Sequence, residues 1–307
     1  MATHTRTIYP DLYMEDMLPA LEEVTYDEWE KGKDYVGKLF NVDSMDREIK
    51  QQTTVGALGS AREVNEGADT PYVTLSPGYD KTYTALTYKL GVVATEELVE
   101  DDRHDLIEEL HRELSSAHYK ARNIVSAGIY HDAFTTAGYD GKALCATDHP
   151  LEEGGTGSNE LAAPAALGVA GLKSLLLLFS DMVGPDGYPL NEMARTLVVP
   201  TALQFTARQL LNAIGQHDSA NRTANPFDED KLDYLCWPYL SAAQGGSDTA
   251  YYLINEPRKL KVMFYERVGF QSKSGEDFDS GGVKTKTRQR FAVGWHNWRN
   301  ITGTAGA

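Results

Sequence analysis

Cys145, Asp148 and His149 are the residues whose types and spacing come nearest to a catalytic group, with a thiol four positions before an imidazole and a carboxylate beside it. Such a pair needs a third group to orient the base and a glycine-rich turn to hold an oxyanion. The sequence around Cys145 supplies neither, so Asp148-His149-Pro150 reads as a turn and no catalytic residue is assigned. His104, His111 and His118 recur every seven residues and share one helix face, but neighbours lie about 10 Å apart, too far to share a metal. That face is expected to be solvated or interfacial. Gly154-Gly155-Thr156-Gly157-Ser158 has the glycines of a phosphate loop without its lysine or its strand-to-helix frame, and reads as a flexible loop. The densest basic cluster is Lys284, Lys286, Arg288, Arg290 and Arg299. It suits either a polyanion or an acidic neighbour across a strand edge. No cofactor-binding or metal-ligating set emerges.

The elements that must position these residues begin with a long helix over 96–136. Ile107, Leu110, Leu114, Ala117, Ala121, Ile124 and Gly128 step by three and four, which predicts a buried seam. Asp101, Asp102 and Asp105 suit its N-terminus, with Glu108 completing a capping-box spacing, and Gly138 marks the stop. The helix would be about 50 Å long.

Residues 1–50 carry short amphipathic pieces over 13–24 and 26–40, broken by Pro10, Pro19 and Gly32. Tyr9, Tyr13, Tyr26, Trp29, Tyr35 and Phe40 are too many rings for a free tail, so this arm must lie on its own domain or on a neighbour. From 53 to 93 the pattern changes to period two, with Thr82, Thr84, Leu86, Tyr88, Leu90 and Val92 on one side and Tyr83, Ala85, Thr87 and Lys89 on the other. Ser76-Pro77-Gly78 is a turn, and the stretch containing Gly56, Gly59, Glu63, Glu66, Gly67 and Asp69 is too polar for a core. An outward two-stranded loop follows, marginal by itself and in need of a surface to lie on. Beyond the long helix, 167–179 is helical, Gly184-Pro185-Asp186-Gly187 turns, 196–199 is a strand, and Pro200-Thr201 opens a further helix. The last third is β-rich, with strands at 232–239, 250–254, 259–270 and 284–298. Helices and strands mix without regular alternation, which gives an α+β class with no internal repeat.

Composition bounds the function. A chain of 307 residues with 41% hydrophobic content can build a sizeable core. A net charge of −16, from 45 acidic and 29 basic residues, disfavours direct DNA reading. Cys145 and Cys236 fit neither a disulfide framework nor a zinc cluster. No 18-residue apolar run or signal peptide is seen, which leads to the expectation of a soluble intracellular product. Asn221-Arg222-Thr223 and Asn300-Ile301-Thr302 fit the glycosylation pattern but are set aside on that expectation.

In this order the segments resemble the major capsid (head) proteins of tailed bacteriophages, most closely the Mu-like major head subunit family. The resemblance covers most of 50–300. It is carried by 144–150, similar to the family's Thr-Asp-His-Pro segment, then by Asn159, Asp186-Gly187, 197–200, 251–253, Arg290, Gly294 and Trp298-Arg299. It implies the Hong Kong 97-type capsid fold: an N-terminal arm at 1–50, an extended β-hairpin loop at 51–95, a peripheral domain with its spine helix at 96–150 and 256–307, and an axial domain at 151–255. It further implies a non-enzymatic structural subunit that forms pentamers and hexamers of an icosahedral head. That head would enclose double-stranded DNA without sequence-specific binding, in a virion assembled in the host bacterial cytoplasm, with scaffold, portal and decoration proteins as further partners and no membrane. The alternatives are a nanocompartment shell of the same fold holding protein cargo and a soluble hydrolase using Cys145 and His149.

Overall fold

The computed structural model describes residues 10–67, 69–75, 77–95, 97–98, 104–151, 154–212, 232–276 and 281–307. Tyr9, Ser76, Asp101, Asp102, Glu96 and the Asn221 sequon lie outside them, as do the side chains of Tyr13, His104 and Asp105.

The long helix α3 spans His104–His131, about 42 Å at 1.5 Å per residue. Its buried face is Ile107, His111, Leu114, Ser115, His118, Asn123, Ala127 and Tyr130, whereas Ile124 is 51% exposed. The expected seam is therefore rotated by about one residue, and His111 and His118 sit on the buried side instead of in solvent. The cause is the surface opposite. The sheet under α3 presents Ser272, Thr285, Thr287 and Gln289, all buried, so His111 finds a partner there that a hydrophobicity pattern does not anticipate. His111 donates from Nδ1 to the Ile107 carbonyl and accepts at Nε2 from the Thr285 hydroxyl, each at 2.8 Å.

That sheet has the order β1-β10-β11-β4. Strands β10 (Val262–Glu276) and β11 (Val283–Trp295) form its long antiparallel centre. Strand β1 (Asn41–Ser44) runs parallel to β10, and β4 (Leu86–Ala94) runs antiparallel to β11. Helix α1 (Pro10–Lys31) lies beside α3 against β10 and is continuous through Pro19, where two pieces were expected. Proline removes one backbone hydrogen bond there, but tertiary contacts carry the helix through. Leu21 is buried, and Trp29 stacks on Phe270 at 4.6 Å. The short helix α2 (Val36–Leu39) and Phe40 then enter the main core, with Leu39 and Phe40 fully buried.

The two-stranded ribbon pairs β2 (Ile49–Val55) with β3 (Pro77–Thr84). It ends sooner than the expected 51–95, because the chain breaks at Ala85 and continues as β4 in the large sheet. The break also exchanges faces. Tyr83 and Ala85 point inward before it, and Tyr88, Val92 and Ala94 are the better covered residues after it, so the single alternation from Thr82 to Val92 does not hold.

A second sheet, β12-β9-β7-β8, combines β7 (Thr196–Val199), β8 (Asp233–Cys236), β9 (Tyr251–Ile254) and β12 (Ile301–Thr304). Helix α4 (Val169–Ser180) packs on β9 and β12, and α5 (Gln204–Asn212) on β8. Strand β12 pairs with β9, so 256–307 does not fall wholly with the spine helix. One continuous core contains Phe264 and Phe291 of the first sheet together with Val198, Tyr252 and Ile254 of the second.

Candidate functional site

His149 opens the short strand β5 (His149–Pro150), which pairs with β6 (Thr156–Gly157). Gly154 and Gly155, at φ of 92° and 88°, turn the chain between them. This is a tight connection that glycine adopts without strain, in place of a phosphate cradle.

The imidazole is fully buried and stacks on Trp298 at 4.4 Å with the planes 8° apart. Its Nδ1 lies 2.7 Å from Asp140 Oδ2 and its Nε2 lies 3.1 Å from Asn159 Oδ1. Asn159 is itself fixed. Its amide nitrogen faces the carbonyls of Leu144, Trp298 and Ile301, and its oxygen accepts the Ala146 N–H at 2.9 Å. An orienting carboxylate therefore does exist, in Asp140, nine residues before the histidine across a loop, where local spacing carries no sign of it. Asp148 instead pairs with Lys142 at the surface.

This arrangement does not make a base and a nucleophile. The ring nitrogen that would take a proton is held by Asn159, and no solvent reaches it. Cys145 is 1% exposed, and burial pushes its thiol well above the ordinary range, so the thiolate that would attack is suppressed. Its Sγ fills a close approach to Gly303, where a Cβ would stand 2.8 Å from the sulfur. Asp140, His149 and Asn159 act as a rivet, tying the loop after α3 to the segment between β11 and β12. Cys236 is partly exposed on β8 and packs against a different core cluster from Cys145. Among the described residues no three His, Cys, Asp or Glu side chains are placed to hold a metal.

The basic cluster divides. Lys284, Lys286, Arg288 and Arg290 alternate along β11 on the face turned from α3, while Val283, Thr285, Thr287 and Gln289 are buried beneath the helix. Arg299 stands apart; its Nε donates to the Val183 carbonyl at 2.8 Å and its guanidinium covers Trp298 at 4.7 Å. Asn300, in the other sequon, is a backbone corner at φ 68° whose amide bonds the Lys259 carbonyl.

Parts of the described surface display apolar side chains. Residues 57–67 and 69–75 are exposed throughout, with Tyr72 95% and Val73 62% open. Near the second sheet Phe205 and Met193 are likewise exposed.

Residues 78–302 match the model of a family described as phage capsid protein. Solved structures share the fold. The capsid of cyanophage P-SCSP1u is 12% identical, with 88% of this chain and 87% of that chain covered and a TM-score of 0.59. The bacteriophage JBD30 capsid is 14% identical over 69% of this chain and 92% of that one, TM-score 0.57. A virus-like particle from Pyrococcus furiosus is 7% identical over 94% and 99%, TM-score 0.55. No curated protein matches in sequence.

Proposed function

The chain belongs to the phage capsid protein family, and from that premise we propose how it builds its shell: copies associate as pentamers and hexamers through the exposed hairpin segment and through surfaces around the second sheet. It is a structural capsid subunit of the Hong Kong 97 type. The observation that carries the reading is the family match, which runs from the second ribbon strand through α3 and most of both sheets. The exposed segment between β2 and β3 supports it, since a protruding loop with unburied rings gains stability only on a partner.

In this reading the peripheral part holds α1, α3 and the long sheet, and the axial part holds α4, α5 and the second sheet. The hairpin overlies a neighbouring subunit. The particle encloses double-stranded DNA without reading its sequence, with scaffold, portal and decoration proteins as further partners, and assembles in the host bacterial cytoplasm. Cys145 and His149 have no catalytic task.

Electron microscopy of the purified recombinant chain tests the assembly, with closed particles expected and only dispersed subunits counting against it. A nanocompartment is the second reading, supported by the likeness to the Pyrococcus furiosus particle. Particles from native expression that contain a defined protein and no DNA would favour it. Hydrolytic turnover abolished by Cys145→Ala would overturn the non-enzymatic assignment.

A further inference from the structure

The hydrogen bonds around His149 fix more than its position. Asn159 is oriented without ambiguity, because its Nδ2 faces the carbonyls of Leu144, Trp298 and Ile301 while its Oδ1 meets the Ala146 N–H. The reverse orientation would set an oxygen against three carbonyls. The oxygen 3.1 Å from His149 Nε2 can therefore only accept, and Nε2 carries a hydrogen. On the other side of the ring Nδ1 lies 2.7 Å from Asp140 Oδ2. Two acceptors would face each other there unless a second hydrogen lies between them, so the pair holds two hydrogens in all. Turning the ring over would only set carbon against both oxygens.

The second hydrogen belongs to the ring. Asp140 Oδ1 already accepts the Lys142 N–H at 3.1 Å, and such a bond favours the carboxylate over the acid. An imidazole also outcompetes a carboxyl for a proton, at about 6.5 against about 3.9 in unstructured chains. Trp298 stacks on the ring with 4.4 Å between centroids, and an indole face attracts a cation. Glu160 is near enough to feel the ring's charge and adds a second carboxylate to the surroundings. Burial keeps the Cys145 thiol and the Tyr139 phenol neutral, and Lys142 and Asp148 pair with each other at the surface. Arg299, over the same indole, is a cation that opposes the ring's charge, against the two carboxylates that favour it. We infer that Asp140 and His149 are a buried carboxylate–imidazolium pair, and that this pair is an alkali-sensitive latch holding the loop after α3 to the segment between β11 and β12. The two side chains are 2% and 0% exposed, so withdrawing the hydrogen leaves a carboxylate facing a bare nitrogen where water does not replace the bond. An imidazole in the unfolded chain gives up that hydrogen near about pH 6.5. Above that pH the folded chain binds the extra proton, and stability falls as the pH rises.

Asp140→Asn separates the charge from the hydrogen bonds. Its Oδ1 can keep the Lys142 N–H while its Nδ2 donates to Nδ1, so every bond survives around a neutral ring. In the full chain with isotope-labelled histidine, magnetic resonance at about pH 7 should show hydrogens bonded to both ring nitrogens of His149 in the wild type and to one in Asp140→Asn. The His149 signals are those absent from His149→Gln or, should that variant not fold, those altered by Asp140→Asn. Between about pH 7 and about pH 9 the urea unfolding midpoint should fall further in the wild type than in Asp140→Asn. A single bonded hydrogen on the wild-type ring would place the second on Asp140 and overturn the ion pair. Equal losses of midpoint in the two proteins would overturn the latch. The pair forms within one chain, so dispersed subunits and sedimented particles should give the same reading, and a failure of the shell assignment would leave it standing.

Discussion

Asn159 is fully buried and bonds the Ala146 N–H, the His149 ring and the carbonyls of Leu144, Trp298 and Ile301. Replacing it with alanine strands the Ala146 N–H, the His149 ring and up to three carbonyls away from water. Single stranded groups of this kind cost roughly 1–3 kcal/mol each, so Asn159→Ala should lower stability by about 3 kcal/mol or more, read from the urea unfolding midpoint. His296 makes a separate prediction about pH. Burial, then the nearby Lys261 charge, lowers its pKa to about 4, and burial also lowers that of His118. The folded protein refuses protons at these rings that the unfolded chain accepts below about 6.5. Their contribution to stability is therefore complete above pH 6.5 and lost as the pH falls toward 4. His296→Gln, which keeps an acceptor for the Tyr83 hydroxyl 3.0 Å away, should flatten that acid slope in denaturation measured across pH 4–7. At this scale the sequence was least legible. Asp140 and Asn159 are ordinary polar residues until the fold brings them to His149, and nothing in local spacing marks the meeting.

Helices and strands were easier to read than their faces. The strands at 196–199 and 251–254 and the helix after Gly168 stand out because each is apolar and bounded by turn residues. Helix α3 is equally visible, but its buried seam lies about one residue away from the apolar stripe, because His111, Ser115 and Asn123 look like surface residues until the Thr285 hydroxyl, the Thr25 carbonyl and the Trp237 indole are seen to meet them. The N-terminal region shows how tertiary contact overrides a breaker. Pro19 does not divide α1, whose Trp29 is held between the Phe270 ring, the Tyr119 edge and the Arg122 guanidinium. These contacts predict that the region is two things energetically. Deleting residues 1–31 should leave a cooperative fold with α3 intact by circular dichroism. Deleting 1–40 also removes Val36, Leu39 and Phe40 from the main core and the carbonyl that accepts the Tyr130 hydroxyl at 3.1 Å. That truncation should cost several kcal/mol and broaden or abolish the transition, seen by thermal melting.

At the scale of the whole molecule the net charge of −16 opposes assembly. It drives copies apart over distances comparable with the Debye length, about 10 Å at 0.1 M salt and about 3 Å at 1 M. Salt should therefore promote particle formation by screening this repulsion. Light scattering should rise as sodium chloride is raised from about 0.01 to about 1 M, and a fall over that range would contradict the prediction.

The chain passes between the two sheets three times, after α3, between β9 and β10, and between β11 and β12. In mechanical terms the halves are therefore joined by three covalent tethers in parallel, so a force pulling them apart is divided among them. The tethers before β10 and after β11 leave the long sheet at the same end, where Val262 pairs with Trp295, so they load the two central strands side by side and do not slide one past the other. Under outward pressure on a closed particle, failure should begin at the borders between subunits and leave each subunit whole. Fragments from particles ruptured by an indenting tip would then be folded chains.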